Sequence, residues 1–204
     1  MSAISASQVK ELREKTGLGL MDCKKALEEA NGDIDLAIEE LRKTSGIKAS
    51  KKSGRSAADG LIGITTRDKD FFMIEVNCET DFVAKTEGFV ELTHNLAMQI
   101  AATNPIALDR KSIGDSVISR EKEIYADQAK TSGKPENIIE KMVDGKMNKF
   151  FQENCLMEQA YIKDSEKKVS ELLTESIATL GENITISRYV RFAVGESDIS
   201  SEII

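Results

Sequence analysis

Two apolar stretches with only four polar residues between them limit the architecture of this chain more than any other pattern. Residues 61–66 and 71–77 are rich in β-branched and aromatic side chains, and residues 67–70 connect them. Such a connection suits a hairpin between antiparallel strands. Residues 184–194 alternate apolar and polar side chains, as a half-buried antiparallel strand does. The chain is therefore predicted to contain a small antiparallel sheet.

Helical patterns surround these strands. Apolar side chains recur at helical spacing in four predicted helices, at residues 87–103, 119–130, 136–152 and 169–180. Pro135 lies where the first turn of a helix tolerates proline, and Gly145 interrupts the helix that follows it. A small sheet covered by helices predicts an α+β fold for a core domain at residues 59–196. A frayed tail is predicted at residues 197–204.

The first 43 residues predict three short helices. Ser7 is a candidate N-cap for the first helix, and the Asn31-Gly32 pair is a strong turn signal that ends the second. Asp33 is a good N-cap for the third helix, whose apolar side chains recur at three- and four-residue spacing. Residues 1–43 therefore predict a small three-helix module of the ubiquitin-associated kind.

Residues 44–58 differ in composition from the residues before them. Small and basic residues dominate, and the hydrophobic periodicity weakens. This composition is typical of a linker that tethers two domains. A second interpretation is a basic patch that contacts an acidic partner or ribosomal RNA, and the sequence leaves both interpretations open.

Charge and composition argue against several classes of protein. The formal net charge is −7 and the 204 residues include no Trp, which disfavours a basic nucleic-acid surface or a stacking platform for bases. No apolar run approaches about 20 residues, and the first residues lack the pattern of a signal peptide. We therefore expect a cytoplasmic protein with no direct nucleic-acid partner and no membrane partner.

Sequence signatures of catalysis are missing. The chain contains no P-loop, HExxH, GxSxG or dinucleotide-binding motif. Cys23, Cys78 and Cys155 have no metal-binding spacing and predict reduced, buried thiols. An enzyme that uses Cys78 or Cys155 would need a base to activate the thiol. The single histidine, His94, is predicted on a helix surface, so we expect a binding protein rather than an enzyme, with no cofactor and no metal site.

One candidate binding segment is a glycine-rich turn in the helical module. Gly17 and Gly19 bracket Leu18, and Leu20 and Met21 follow. Exposed apolar side chains at such a turn would form a compact docking knob of the kind found at interface centres. The alternative is that these side chains join the core of the module.

A second candidate segment, called here the 80–83 corner, comprises Thr80, Asp81, Phe82 and Val83. It joins a predicted strand to a predicted helix. In one interpretation Thr80 or Asp81 caps the helix and Phe82 packs back into the core. In the other, Phe82 is exposed and probes the surface of another protein.

Several motifs occur in one order along the chain. They include MDCKKAL at residues 21–27, NGDIDLAIE at 31–39, NCETDFVAK at 77–85, EKMV at 140–143 and RFAVGE at 191–196. In this the chain resembles bacterial elongation factor Ts, the family of guanine-nucleotide exchange factors of the GTPase elongation factor Tu. The resemblance runs from the first predicted helix to about Gly195.

The resemblance implies a mechanism and a set of contact residues. The 80–83 corner is implied to enter the GTPase domain of elongation factor Tu, displace its magnesium ion and promote release of GDP, so that GTP can rebind during elongation. The helical module, with Leu12, Leu20 and Met21, is implied to bind the same domain, and the core to hold a second domain of the partner. Phe82 is thereby implied to be exposed.

The chain also departs from long members of this family. Those members carry a second core subdomain and a coiled-coil insertion, which the chain lacks between the predicted helix at 87–103 and the later helices. It is similar to short members, in which two chains pair to complete the core, so a homodimer is expected. The alternative function is a binding adaptor, a helical module on a dimerisation core with no effect on nucleotide exchange.

Overall fold

A computed structural model describes residues 4–131 and 135–196 of the chain. It confirms the α+β fold. The helices of the described residues are α1 (Ala6–Thr16), α2 (Leu20–Glu29), α3 (Ile34–Lys52), α4 (Asp81–Ala84), α5 (Glu87–Thr103), α6 (Asp115–Lys130), α7 (Glu136–Asn154) and α8 (Val169–Leu180), with 3-10 turns at Arg110–Ser112 and Leu156–Glu158. The strands are β1 (Asp59–Arg67), β2 (Asp70–Cys78), β3 (Ala160–Tyr161), β4 (Asp164–Lys168) and β5 (Thr185–Phe192). The predicted tail at 197–204 lies outside the described residues.

The main sheet contains three strands in the order β1-β2-β5. Asp68, with a backbone φ of 55°, lies in the turn of the β1–β2 hairpin. Phe72, Ile74 and Val76 bury one face of β2, as its alternating pattern requires. The predicted hairpin and the predicted C-terminal strand are therefore confirmed.

A second, two-stranded sheet pairs β3 with β4 in antiparallel fashion, and the sequence did not predict it. Its strands are short and β4 is polar throughout, so no apolar alternation marks them. The fully buried Gln99 holds this hairpin: its Nε2 donates to the carbonyl oxygen of Ala160 at 3.1 Å, and its Oε1 accepts from the backbone N–H of Ile162 at 2.9 Å. A buried amide with these partners fixes the hairpin on α5.

The chain forms two compact units, whose boundaries differ from those predicted for the domains. The first unit contains the described part of Met1–Ile62 together with Glu75–Thr93 and Glu171–Ser187. The second contains Gly63–Ile74, His94–Ser170 and the described residues after Arg188. The helical module and the 80–83 corner thus belong to the same unit.

The helical module of the first unit has its own apolar core. Its buried residues are Val9, Leu12, Leu18, Cys23, Ala26, Leu27, Ala30, Ala37 and Leu41. Asp33 caps α3 as predicted, with its carboxylate accepting from the backbone N–H groups of Asp35 and Leu36. The predicted cap of α1 was wrong by two residues, because Ser5 rather than Ser7 forms a capping box with Gln8.

Helix α3 is longer than predicted and continues through most of the expected linker. Ser45 and Ala49 are buried on its inner face, so the small residues that resembled a tether are packing residues. The ammonium group of Lys48 binds the carboxylate of Asp22 at 2.7 Å. That of Lys52 donates to the carbonyl oxygen of Ile177 at 3.4 Å. Part of the basic charge is therefore used within the chain, which weakens the interpretation as a free basic patch.

The second unit includes a pair of packed helices, α6 and α7. The ammonium group of Lys146 donates to the side-chain oxygen of Gln128 at 2.6 Å and lies 5.4 Å from the ring centre of Tyr125. Gly145 lies inside the continuous helix α7, so the predicted interruption of the helix at this residue was wrong. Among the described residues, none of the helices is long and apolar enough to cross a bilayer.

Candidate partner-binding surfaces

The 80–83 corner lies between the end of β2 and the one-turn helix α4. Thr80 has an extended backbone (φ −134°, ψ 154°), and its hydroxyl accepts from the backbone N–H of Val83 at 3.4 Å. It is therefore the N-cap of α4. Ala84 faces inward and is buried, whereas Val83 is half-buried.

Phe82 points away from the protein, with 80% of its surface exposed. Aromatic side chains of this size are usually buried, so the exposed Phe82 is a candidate for contact with another protein. The interpretation in which Phe82 packs back into the core is wrong. The exposure that the family resemblance implied is present in the chain itself.

Asp81 occupies the first position of α4 and forms an exposed ion pair with Lys85, whose ammonium group lies 2.5 Å from the carboxylate. The hydrogen bond and the positive charge of Lys85 lower the pKa of Asp81. The side chain is therefore ionised at neutral pH, at the helix end where the backbone N–H groups favour negative charge. An exposed pair of this kind exchanges its partner easily.

A carboxylate from a distant part of the chain holds the backbone of the corner. One oxygen of Glu182 accepts from the backbone N–H groups of Glu79 and Thr80, both at 3.0 Å. Its other oxygen accepts from the hydroxyl of Thr80 at 2.7 Å. Sequence reasoning missed Glu182, and no local pattern marks it, because its partners lie about a hundred residues earlier.

A second set of contacts runs in the opposite direction between the same two segments. The carboxylate of Glu79 accepts from the backbone N–H of Asn183 at 2.7 Å and lies 3.5 Å from the guanidinium group of Arg55. The buried side-chain amide of Asn183 donates to the carbonyl oxygen of Arg55 at 2.8 Å. Each of the two segments thus supplies a carboxylate that accepts hydrogen bonding from the backbone of the other segment.

The three cysteines are buried free thiols, as predicted. Cys78 donates to the carbonyl oxygen of Thr80 at 3.2 Å, and burial, followed by the charge of Glu182, raises its pKa. Burial raises the pKa of Cys155 to about 11. Both shifts disfavour the nucleophilic thiolate. The described residues contain no cluster of side chains with the composition of a metal site.

The glycine-rich turn of the helical module divides its apolar side chains between core and surface. Gly17 has a φ of 69°, a left-handed conformation that closes α1. Leu18 is buried, whereas Leu20 and Met21, the first two residues of α2, are 53% and 77% exposed. Cys23 anchors the turn by donating to the carbonyl oxygen of Leu18 at 3.8 Å. Leu20 and Met21 are therefore available for docking.

Leu12 does not share this surface. Its side chain is fully buried among the core residues of the module. The prediction that it contacts a partner was wrong in this respect, because Leu12 lies on the inward side of α1. Its role is to hold the three helices together.

Fold and surface together define an α+β protein that displays apolar side chains at two helix starts. The family described as elongation factor TS matches residues 91–196. The chain is 54% identical to elongation factor Ts of Syntrophomonas wolfei, covering 98% of this chain and 97% of that protein. It is also 54% identical to elongation factor Ts of Thermosipho melanesiensis (95% and 100%) and 52% identical to that of Oleidesulfovibrio alaskensis (96% and 100%). The chain belongs to the elongation factor Ts family and is a translation elongation factor.

Proposed function

We propose that this protein is a guanine-nucleotide exchange factor that acts on elongation factor Tu. It binds the GDP-bound GTPase, and the 80–83 corner enters the GTPase domain and displaces its magnesium ion. The protein acts by binding and makes or breaks no covalent bond. The observation that carries this proposal is the exposure of Phe82 on a corner held by hydrogen bonds, in a chain of the elongation factor Ts family.

The coordination chemistry of magnesium explains why a small intrusion suffices. Mg²⁺ demands near-ideal octahedral geometry at about 2.0–2.1 Å, so a modest displacement of its surroundings expels it. Without the ion, the phosphate charges of GDP lose their neutralisation, and GDP leaves faster. Phe82 supplies the steric push. Asp81, once it leaves Lys85, holds the opened loop of the partner through hydrogen bonding or charge repulsion.

Linkage sets the energetic requirement. The factor must bind the nucleotide-free partner more tightly than the nucleotide-bound partner, and nucleotide weakens binding of the factor by the same ratio. A thousandfold acceleration of release requires a barrier lower by about 4 kcal/mol. GTP in excess then fills the site and releases the factor.

The helical module supplies a second contact with the GTPase domain. Leu20 and Met21 lie at the start of α2, where their exposed side chains form an apolar knob. A large exposed apolar side chain that becomes buried on binding is a typical anchor of an interface. The α+β core holds another domain of the partner, so that the factor contacts elongation factor Tu at more than one place.

We extend the proposal to a homodimer. What supports it is the exposure of Ile64, Phe71 and Phe192 on strands of the main sheet, because exposed apolar residues on a sheet favour association. Sedimentation velocity of the full chain should give the mass of two chains. Phe71→Asp should shift the mass toward one chain, and Ile106→Asp, a matched change at an exposed aliphatic residue outside the sheet, should leave it unchanged.

The test of exchange is the release of a fluorescent GDP analogue from elongation factor Tu, with and without this protein. We expect strong acceleration, and a loss of about 30-fold in Phe82→Ala, the effect of removing an interface hot spot of roughly 2 kcal/mol. Ile106→Ala, at an exposed residue that belongs to neither candidate surface, is the matched control. The melting temperature of each variant is recorded alongside.

The outcomes separate the two functions. Acceleration that Phe82→Ala largely removes supports exchange through the 80–83 corner. Acceleration that survives the substitution retains the function and assigns the mechanism to other contacts. Binding of the folded protein to elongation factor Tu without acceleration would instead support the adaptor.

A further inference from the structure

We propose that Glu182 is a positioning residue for nucleotide exchange: its carboxylate fixes the 80–83 corner in the shape that presents Phe82. This inference rests on the proposed function, because it concerns the segment to which that function assigns the release of GDP. Glu182 lies 102 residues from Thr80 along the chain and contacts it directly through two hydrogen bonds. It therefore acts through the corner.

The hydrogen-bonding capacity of a carboxylate determines how the corner is oriented. An ionised carboxylate only accepts hydrogen bonds, so Glu182 accepts from the backbone N–H groups of Glu79 and Thr80 and from the hydroxyl of Thr80. Because the hydroxyl proton is directed to Glu182, the lone pairs of the hydroxyl are left for the N–H of Val83. One side chain thus orients both the backbone before α4 and the cap that begins α4.

Helix α4 depends on this contact because it contains a single turn. Its four residues are fewer than an isolated helix needs in water, and Ala84 is its one buried residue. Without a fixed cap, the corner would sample several backbone conformations, and only a fraction would present Phe82 correctly. Fixing the corner in the shape that binds the partner avoids the loss of affinity that the other conformations would cause.

Glu182 is itself held on both sides. Gly181, with a φ of 83°, adopts the left-handed conformation after α8, and its N–H donates to the carbonyl oxygen of Ile177 at 3.1 Å. On the other side, the buried Asn183 donates to Glu79 and Arg55. The carboxylate is therefore placed by two fixed neighbours rather than by a mobile loop.

The thiol of Cys78 gives a direct readout of the corner in the free protein. Cys78 is buried and donates to the carbonyl oxygen of Thr80, so it becomes reactive when the corner opens. We would alkylate the native chain with iodoacetamide and measure the rate at each cysteine by peptide mass spectrometry. In Glu182→Gln, Cys78 should react about tenfold faster, because a charge-assisted hydrogen-bond set is lost, while Cys23 and Cys155 keep their wild-type rates.

A second variant separates opening of the corner from a change of charge near the thiol. Thr80→Val keeps the carboxylate of Glu182 but removes the hydroxyl, and it should give the same selective acceleration at Cys78. Thr80→Ser restores the hydroxyl and should restore the wild-type rate. Faster alkylation at all three cysteines would indicate general destabilisation and overturn the positioning role, as would an unchanged rate at Cys78.

The exchange assay completes the test with four proteins: wild type, Glu182→Gln, Phe82→Ala and the double variant. We expect Glu182→Gln to reduce the acceleration of GDP release about tenfold. GDP release with the double variant should be no slower than with Phe82→Ala alone, because the effects of substituting residues that act as a unit are not additive. Glu91→Gln, which changes an exposed carboxylate on α5, is the matched control and should behave as wild type.

The outcomes distinguish this inference from the function on which it rests. Fully additive losses, or an unchanged acceleration in Glu182→Gln, would overturn the positioning role while exchange itself stands. If the wild-type protein does not accelerate release, the proposed function fails, and with it a role of Glu182 in exchange. The alkylation rates still decide whether Glu182 holds the corner.

Discussion

The two candidate binding surfaces present apolar side chains in the same way but are held in place by different forces. Leu20 and Met21 occupy the first two positions of α2, and Asp81 and Phe82 occupy those of α4. Each turn is anchored by a buried cysteine that donates to a backbone carbonyl oxygen, from Cys23 to Leu18 and from Cys78 to Thr80.

The difference lies in what fixes each helix start. Helix α2 has ten residues, has Gly19 as an N-cap that offers no side-chain hydrogen bond, and buries Cys23, Ala26 and Leu27. Helix α4 has four residues and depends on the hydroxyl of Thr80 and the carboxylate of Glu182. A helix with an apolar face can position an exposed side chain by packing, whereas a single turn needs polar contacts from elsewhere in the chain.

The largest expected effect on stability concerns the helical module, where packing holds Leu20 and Met21 in place. Leu12→Ala should lower the free energy of unfolding by about 2–5 kcal/mol, since it removes a fully buried leucine side chain and leaves a cavity. Urea denaturation followed by circular dichroism measures this change. A loss below that of an exposed substitution would contradict the placement of Leu12 in the core.

A smaller effect is expected when the polar contacts are cut beside Glu182. Asn183→Ala removes the buried amide that donates to the carbonyl oxygen of Arg55 and should destabilise the protein by about 1–3 kcal/mol. Urea denaturation gives the energy, and the alkylation rate of Cys78 shows whether the corner opens. Asn148→Ala is the control, because the side-chain oxygen of this asparagine of the second unit accepts an exposed hydrogen bond from Arg110.

The pH dependence of stability tests Cys155, the thiol that belongs to neither candidate surface. The pKa of Cys155 in the folded protein is about 11, above the value of about 8.5 for a free thiol, so the folded state binds the proton more tightly. The stabilisation of the folded state by this proton is fully present below about pH 8.5 and is lost as the pH rises toward 11. The urea midpoint should therefore fall less steeply with pH in Cys155→Ala than in wild type. Equal slopes would contradict the shift.

The smallest effect on stability is expected at Leu20 and Met21, the exposed apolar residues of the helical module. Leu20→Ala and Met21→Ala should each change the free energy of unfolding by no more than about 0.5 kcal/mol, because both side chains are exposed. Binding to elongation factor Tu, measured by calorimetry, should nevertheless weaken severalfold. Unchanged affinity in both variants would remove this surface from the proposed interface.

Local patterns predicted those elements whose stability is local. Helices α5 and α8 begin and end at the predicted residues, and the β1–β2 hairpin lies where its alternation places it. The β3–β4 hairpin could not be predicted in the same way, because it depends on the side chain of Gln99, about sixty residues earlier in the chain. The end of α3 was misjudged because Ser45 and Ala49, which are small enough to pack closely, have the composition of a linker.

The candidate site shows the same division. The glycine-rich turn suggested that Leu20 and Met21 are exposed but left a place in the core open. The residues alone also left the position of Phe82 open, and there the family resemblance implied exposure. Glu182 escaped prediction because its contacts depend on the tertiary fold. Leu12 was misassigned because a leucine on an amphipathic helix has the same sequence pattern whether a partner or the protein's own core covers it.

Helix α3 is continuous through Lys52. The number of residues in this helix therefore determines how the helical module is oriented relative to the rest of the first unit. Each residue of an α-helix advances the chain by about 1.5 Å and turns it by about 100°. One residue inserted between Ser45 and Lys52 would therefore rotate Leu20 and Met21 about the axis of α3 relative to Arg55 and the segments it contacts. The phase of one helix thus sets the direction in which the module faces a partner.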